Sequence, residues 1–265
     1  MKKAFLSILL ILAAAIPAKW HLEGGIQKKR QELKLGGTAI STELRSKLGQ
    51  NLAVALLSGF RGIVADFIWL RAHSAWEKEI WYKLKEGIEL AVILQPHCIS
   101  FWDIGSWHMA WNASYGESVN PKYPSDAYRL KAQRDWIEAG RRFLEDGIRN
   151  NPDSYDLYFK MGWLIDQKFK DFNAAIPYLL KASTYPEAPT FVVRMVGHEY
   201  VKAGRHQEAY EWWKKLWAED HEKQPQQLWH KIAQWGAEAE EKLGIPAAQR
   251  IFPSRHKPAT TQPRK

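Results

Sequence analysis

Apolar residues recur every three or four positions through most of this chain and almost nowhere alternate with polar ones. That spacing predicts helices, not strands. One helix is expected from Ile63 to Lys78 and a second from Ile80 to Leu94, ending at Gln95-Pro96. An earlier one opens at Thr42-Glu43-Leu44-Arg45 and reaches toward Leu57, and Gly59 and Gly62 loosen the pattern around the GFRG segment. Four prolines, Pro96, Pro152, Pro186 and Pro225, each close a stretch that reads as a pair of amphipathic helices. Pro152 and Pro186 are 34 residues apart, and Gly162 and Gly197 are 35 apart. A self-similar period in this range marks an array of helical repeats.

The units can be aligned on their large and small positions. The C-terminal pair places Val193, Val196, Gly197 and Tyr200 on its first helix and Ala209 and Trp213 on its second, with Gly204 as a C-cap between them. The preceding pair has Tyr158, Met161, Gly162 and Ile165, then Ala175, Leu179 and Ala182. Residues 99–152 align after an insertion at 112–128 rich in Gly, Pro, Ser and Tyr. Trp102, Gly105, Ser106 and Met109 precede it, and Ala139 and Phe143 follow. A degenerate unit at 64–96 carries Ile68, Ala72, Leu84, Ile88 and Ala91. A last helix with Trp229, Ile232 and Ala233 ends near Gly244-Ile245-Pro246 and reads as the cap that hides the final apolar face of an array.

On these residues the chain resembles the tetratricopeptide-repeat superfamily over roughly 64–245. The segment GFRGIVADFIWLRA (59–72) also resembles the opening of a group of bacterial membrane-anchored repeat proteins. The resemblance implies an all-α fold, a right-handed superhelical array of antiparallel helix pairs behind an N-terminal signal or anchor helix. It implies a protein- or peptide-binding role and no chemistry. In that family the first helix of each pair lines a concave groove. Carried onto this sequence, the groove positions are Trp69, His73, Trp76 and Glu77, then Asp103, Trp107, Ala110 and Trp111. They continue with Phe159, Trp163, Asp166 and Gln167, then Arg194, His198, Val201 and Lys202. Such a groove is aromatic in three units and basic in the fourth. It suits an extended peptide with apolar side chains and an acidic group, or a terminal carboxylate held by Arg194 and Lys202. Packing of each Trp against a neighbouring helix is the competing expectation.

Charge and termini add a location. The net charge of +9 sits on the ends: residues 1–37 and 249–265 each carry +5, and 38–248 carry −1. A nucleic-acid domain would itself show a basic face, so that partner class is not expected. Met1-Lys2-Lys3 and the charge-free run 4–18 have the layout of a secretory signal. Fifteen helical residues rise only ~22 Å, short of a ~30 Å hydrocarbon core. Cleavage after Ala18 or Ala15, or an uncleaved inner-membrane anchor extended by Trp20 and Leu22, are both open. The expected organisation is therefore a signal or anchor at 1–22, a linker at 23–37, a helical segment at 38–63, repeats at 64–246, and a basic tail at 247–265. The location implied is the bacterial cell envelope, at the periplasmic face of the inner membrane or in the periplasm.

Candidate chemistry is sparse. The single cysteine, Cys98, excludes an intrachain disulfide. His97, Cys98 and His108 lack metal-ligand spacing, so no metal or cofactor is expected. No nucleophile elbow, phosphate loop or HExxH motif occurs, and no enzyme activity is expected. His73 and Glu77 share a helix face and read as a surface pair. The alternative is a carbohydrate- or cell-wall-binding module, or a cryptic hydrolase, built on the excess of Trp (14 residues) and on Trp107, His108 and Trp111 beside the insertion.

Overall fold

A computed structural model describes residues 59–219 and 226–253. The signal or anchor, the linker, most of the 38–63 segment and the end of the basic tail lie outside the described residues. Everything described belongs to one compact unit, and it is all-helical, with no strand among the described residues. Among the described residues, no helix is long and apolar enough to cross a membrane.

The helices are α1 (Arg61–Glu77), α2 (Trp81–Leu94), α3 (Ile99–Trp107), α4 (Ser114–Ser118), α5 (Asp126–Asn150) and α6 (Tyr155–Leu164). They continue with α7 (Phe172–Ser183), α8 (Thr190–Lys202), α9 (His206–Ala218) and α10 (Gln226–Lys242). Two π-helical segments extend first helices: His108–Ala113 joins α3 to α4, and Ile165–Phe169 prolongs α6. Contacts follow chain order. Helix α1 packs on α2, α3 on α5, α6 on α7, α8 on α9, and α10 closes against α9, while α7 against α8 and α5 against α6 join successive pairs.

One buried triplet recurs on the second helix of each pair at i, i+4 and i+7, the spacing that keeps three side chains on one face. It is Leu84, Ile88 and Ala91 on α2, then Gly140, Leu144 and Gly147 on α5. It recurs as Ala175, Leu179 and Ala182 on α7, then Ala209, Trp213 and Leu216 on α9. In the second pair the small position is thus Gly140, not the expected Ala139, which is only half-buried. A side chain at Gly140 would meet Ala110 Cβ at 2.8 Å, so only glycine lets α5 approach the 108–113 segment this closely. The insertion causes the offset. It does not form an independent loop: 112–118 prolong the first helix and 126–128 open the second, leaving only 119–125 as a turn.

Local signals fix the ends. Ser154 Oγ accepts from the Leu157 N–H at 3.4 Å, and Asp171 Oδ1 accepts from the Ala174 N–H at 3.0 Å, so both act as N-caps. Asp171→Ala is expected to lower the unfolding free energy by about 1 kcal/mol, measured by urea denaturation. Gly204 takes φ 73° and closes α8, with the Arg205 N–H donating to the Tyr200 carbonyl at 2.9 Å. Gly59 has φ 84° and is a turn residue, but Gly62 lies inside α1, where Gln95 Nε2 donates to its carbonyl at 3.0 Å. The proline turns are pinned by neighbours. The Pro96 carbonyl accepts from Trp102 Nε1 and from Asn151 Nδ2, both at 2.8 Å, and Tyr185 Oη donates to the Pro152 carbonyl at 2.8 Å.

Candidate functional site

The expected groove residues come mostly from first helices, and the structure packs many of them against the next first helix. Trp69 of α1 stacks on Phe101 of α3 at 4.5 Å. Trp76 lies 4.9 Å from His73 and 5.3 Å from His108. His108 is buried, and its pKa is lowered to about 4, first by burial and then by the nearby His73. It is therefore neutral at pH 7, with Nδ1 accepting from the Asn112 amide at 2.9 Å. Asp103 pairs with Lys160 of α6 at 2.8 Å. Phe159 meets Phe191 edge-on at 5.3 Å. His198 is held edge-on by Trp235 at 4.4 Å and Trp213 at 5.2 Å; burial first, then Lys202 and Arg194, lower its pKa.

Three of the expected residues converge. Trp107 and Trp111 stack at 4.6 Å, Trp111 and Trp163 at 4.9 Å, and Trp107 and Trp163 at 5.6 Å, with no two planes more than 13° apart. Trp107 and Trp163 occupy matching positions on neighbouring first helices, and the helix packing brings their rings together. Trp107 remains 40% exposed, so the cluster reaches the surface. A fourth member was missed from sequence. Lys168 places its Nζ over the Trp111 ring, 4.9 Å from the centroid. The family rule selects Gln167 there. The π-helical turn 165–169 accommodates an extra residue, so the side chain that reaches Trp111 comes one position later.

The basic end differs from expectation. Lys202 is not free to hold a terminal carboxylate. Its Nζ donates to Asp166 at 2.9 Å and to Glu199 at 2.6 Å, and both acids are buried. Burial opposes the Lys202 charge, but its bonds and attraction to Glu199 and Asp166 outweigh that and raise its pKa. Burial raises the Glu199 pKa despite Lys202, and Glu199 Oε2 has no partner. Arg194 donates to Thr190 Oγ1 at 3.1 Å, and burial lowers its pKa.

Among the described residues no group of three or more His, Cys, Asp or Glu could hold a metal ion. No protein-family model matches the chain. A comparison with curated proteins gives no match.

Proposed function

We propose that this chain is a non-catalytic scaffold of the tetratricopeptide-repeat kind, a right-handed superhelical array of helix pairs. Residues 4–18 export it or tether it to the inner membrane. Its first helices bind an extended segment of a protein partner in the cell envelope. The recurring i, i+4, i+7 triplets and the chain-ordered packing support the array. The observation that carries the binding role is the cluster of Trp107, Trp111 and Trp163, which surfaces where two first helices run side by side. Aromatic clusters open to solvent are frequent anchors for partner side chains. Arg194 supplies a cation without an acidic partner among the described residues.

The sugar-binding alternative rests on the outward Trp107 ring. It is the weaker reading, because stacking on a pyranose needs open ring faces, and these indoles direct faces at one another and at Lys168. The test is crosslinking in the native envelope with wild type and a Trp107→Ala/Trp163→Ala/Arg194→Ala variant. The expected result is loss of the crosslinked protein partner from a folded variant. A folded variant that keeps every partner would overturn the groove.

A further inference from the structure

Two of the cations along this face are already neutralised. Lys160 is bound to Asp103, and Lys202 to Asp166 and Glu199. Lys168 differs. It has no carboxylate partner among the described residues and sits on an indole face instead. An indole face attracts an ammonium through its quadrupole but carries no net charge, so the cation keeps its full charge and has N–H donors left over. The backbone that delivers it is unusual. Both members of the Lys168–Trp111 contact stand on π-helical turns, His108–Ala113 and Ile165–Phe169, on neighbouring first helices. Such turns are rare and concentrate at functional sites. The second turn ends at Lys170 with φ 56°, a left-handed conformation uncommon for a lysine.

We propose that Lys168 is the anion-recognition point of the tryptophan cluster, seating an Asp or Glu side chain of a peptide whose neighbouring apolar side chain packs on Trp107. This rests on the peptide-binding reading above and names the chemistry of the segment bound there. The anion point is thereby separate from Lys202, whose charge is consumed inside the fold. A carboxylate arriving at Lys168 gains a charge-assisted hydrogen bond next to an apolar wall, where such bonds are stronger than in water. Burial and the nearby Lys170 lower the Lys168 pKa, as expected of a cation lacking its counter-ion.

The experiment probes an array of immobilised short peptides with the full chain in detergent. Each peptide carries a fixed Trp or Leu, with every residue type varied at the flanking positions. Wild type is expected to favour Asp and Glu over Asn and Gln by about tenfold. Lys168→Met is expected to keep the apolar requirement and lose that acid preference. Lys168→Glu is expected to exchange it for Lys and Arg. Lys168 is only half-buried, so both variants should fold, checked by circular dichroism. Wild-type binding without acid preference, or an acid preference that survives Lys168→Met, overturns the proposal and leaves the peptide-binding reading intact. If wild type binds no peptide, or if Trp107→Ala binds as wild type does, the peptide-binding reading itself fails and the anion point falls with it.

Discussion

Trp213→Ala is expected to lower the unfolding free energy by about 4 kcal/mol, read from the urea midpoint at constant slope. Trp213 is 1% exposed and stands at the centre of the C-terminal core, 5.0 Å from Trp235 and 5.2 Å from His198. Its deletion leaves a large hole among rings that cannot collapse into it. Trp213→Phe is expected to cost far less than its lost volume suggests, about 1 kcal/mol, because the indole Nε1 is buried without an acceptor. The indole lies directly on Gly197, where any Cβ would collide with it. Gly197→Ala is therefore expected to destabilise by about 2 kcal/mol despite the gain in helix propensity. The two changes should couple: in the Trp213→Phe background the Gly197→Ala penalty should shrink by more than the ~0.5 kcal/mol expected of independent sites. Additive effects would mean that the glycine is not there to admit the ring.

Lys202→Met should cost about 3 kcal/mol, the lower end for breaking a buried ion pair, because the Lys202 side chain is 40% exposed while Asp166 and Glu199 are enclosed. The loss should depend on pH. Glu199 titrates above its ordinary value in the folded protein, so the native state binds more protons than the unfolded one once pH passes that ordinary value. Its contribution therefore makes stability fall as pH rises from the usual glutamate range through the raised folded value. Glu199→Gln should remove that decline and leave the Lys202–Asp166 bond in place. A wild-type curve and a Glu199→Gln curve with the same pH slope would show that burial does not raise the Glu199 carboxyl in the folded protein.

Much of the fold can be read along the chain because its determinants are local. The triplets such as Leu84, Ile88 and Ala91 repeat at helical spacing, Gly204 sits where a helix must reverse, and Pro96, Pro152 and Pro186 follow the second helices. The Ala139–Gly140 slip arose because the length of the insertion hides the register, and the residue that decides it, Ala110, lies 30 positions away. The tryptophan cluster was half legible: matching positions put Trp107 beside Trp163. No residue pattern announces a π-helical turn, so Lys168 was passed over for Gln167. Lys202 read as a free cation because its partner Asp166 is 36 residues distant. Nothing near Asp166 distinguishes a buried carboxylate from a solvated one.

At the other end of α10, Glu240 is fully buried, and its Oε1 accepts from the backbone N–H groups of Ile251 and Phe252 at 2.6 and 3.3 Å. Phe252 is thereby pressed into the space that Gly236 leaves open, against Tyr210 and Trp217. The chain thus has a natural trimming point. A protease or a gene edit that removes everything after Pro253 leaves the last core ring seated. One that stops two residues earlier strips a buried aromatic and one of the two N–H donors to Glu240, so epitope tags and fluorescent fusions belong beyond this clasp and never in place of it.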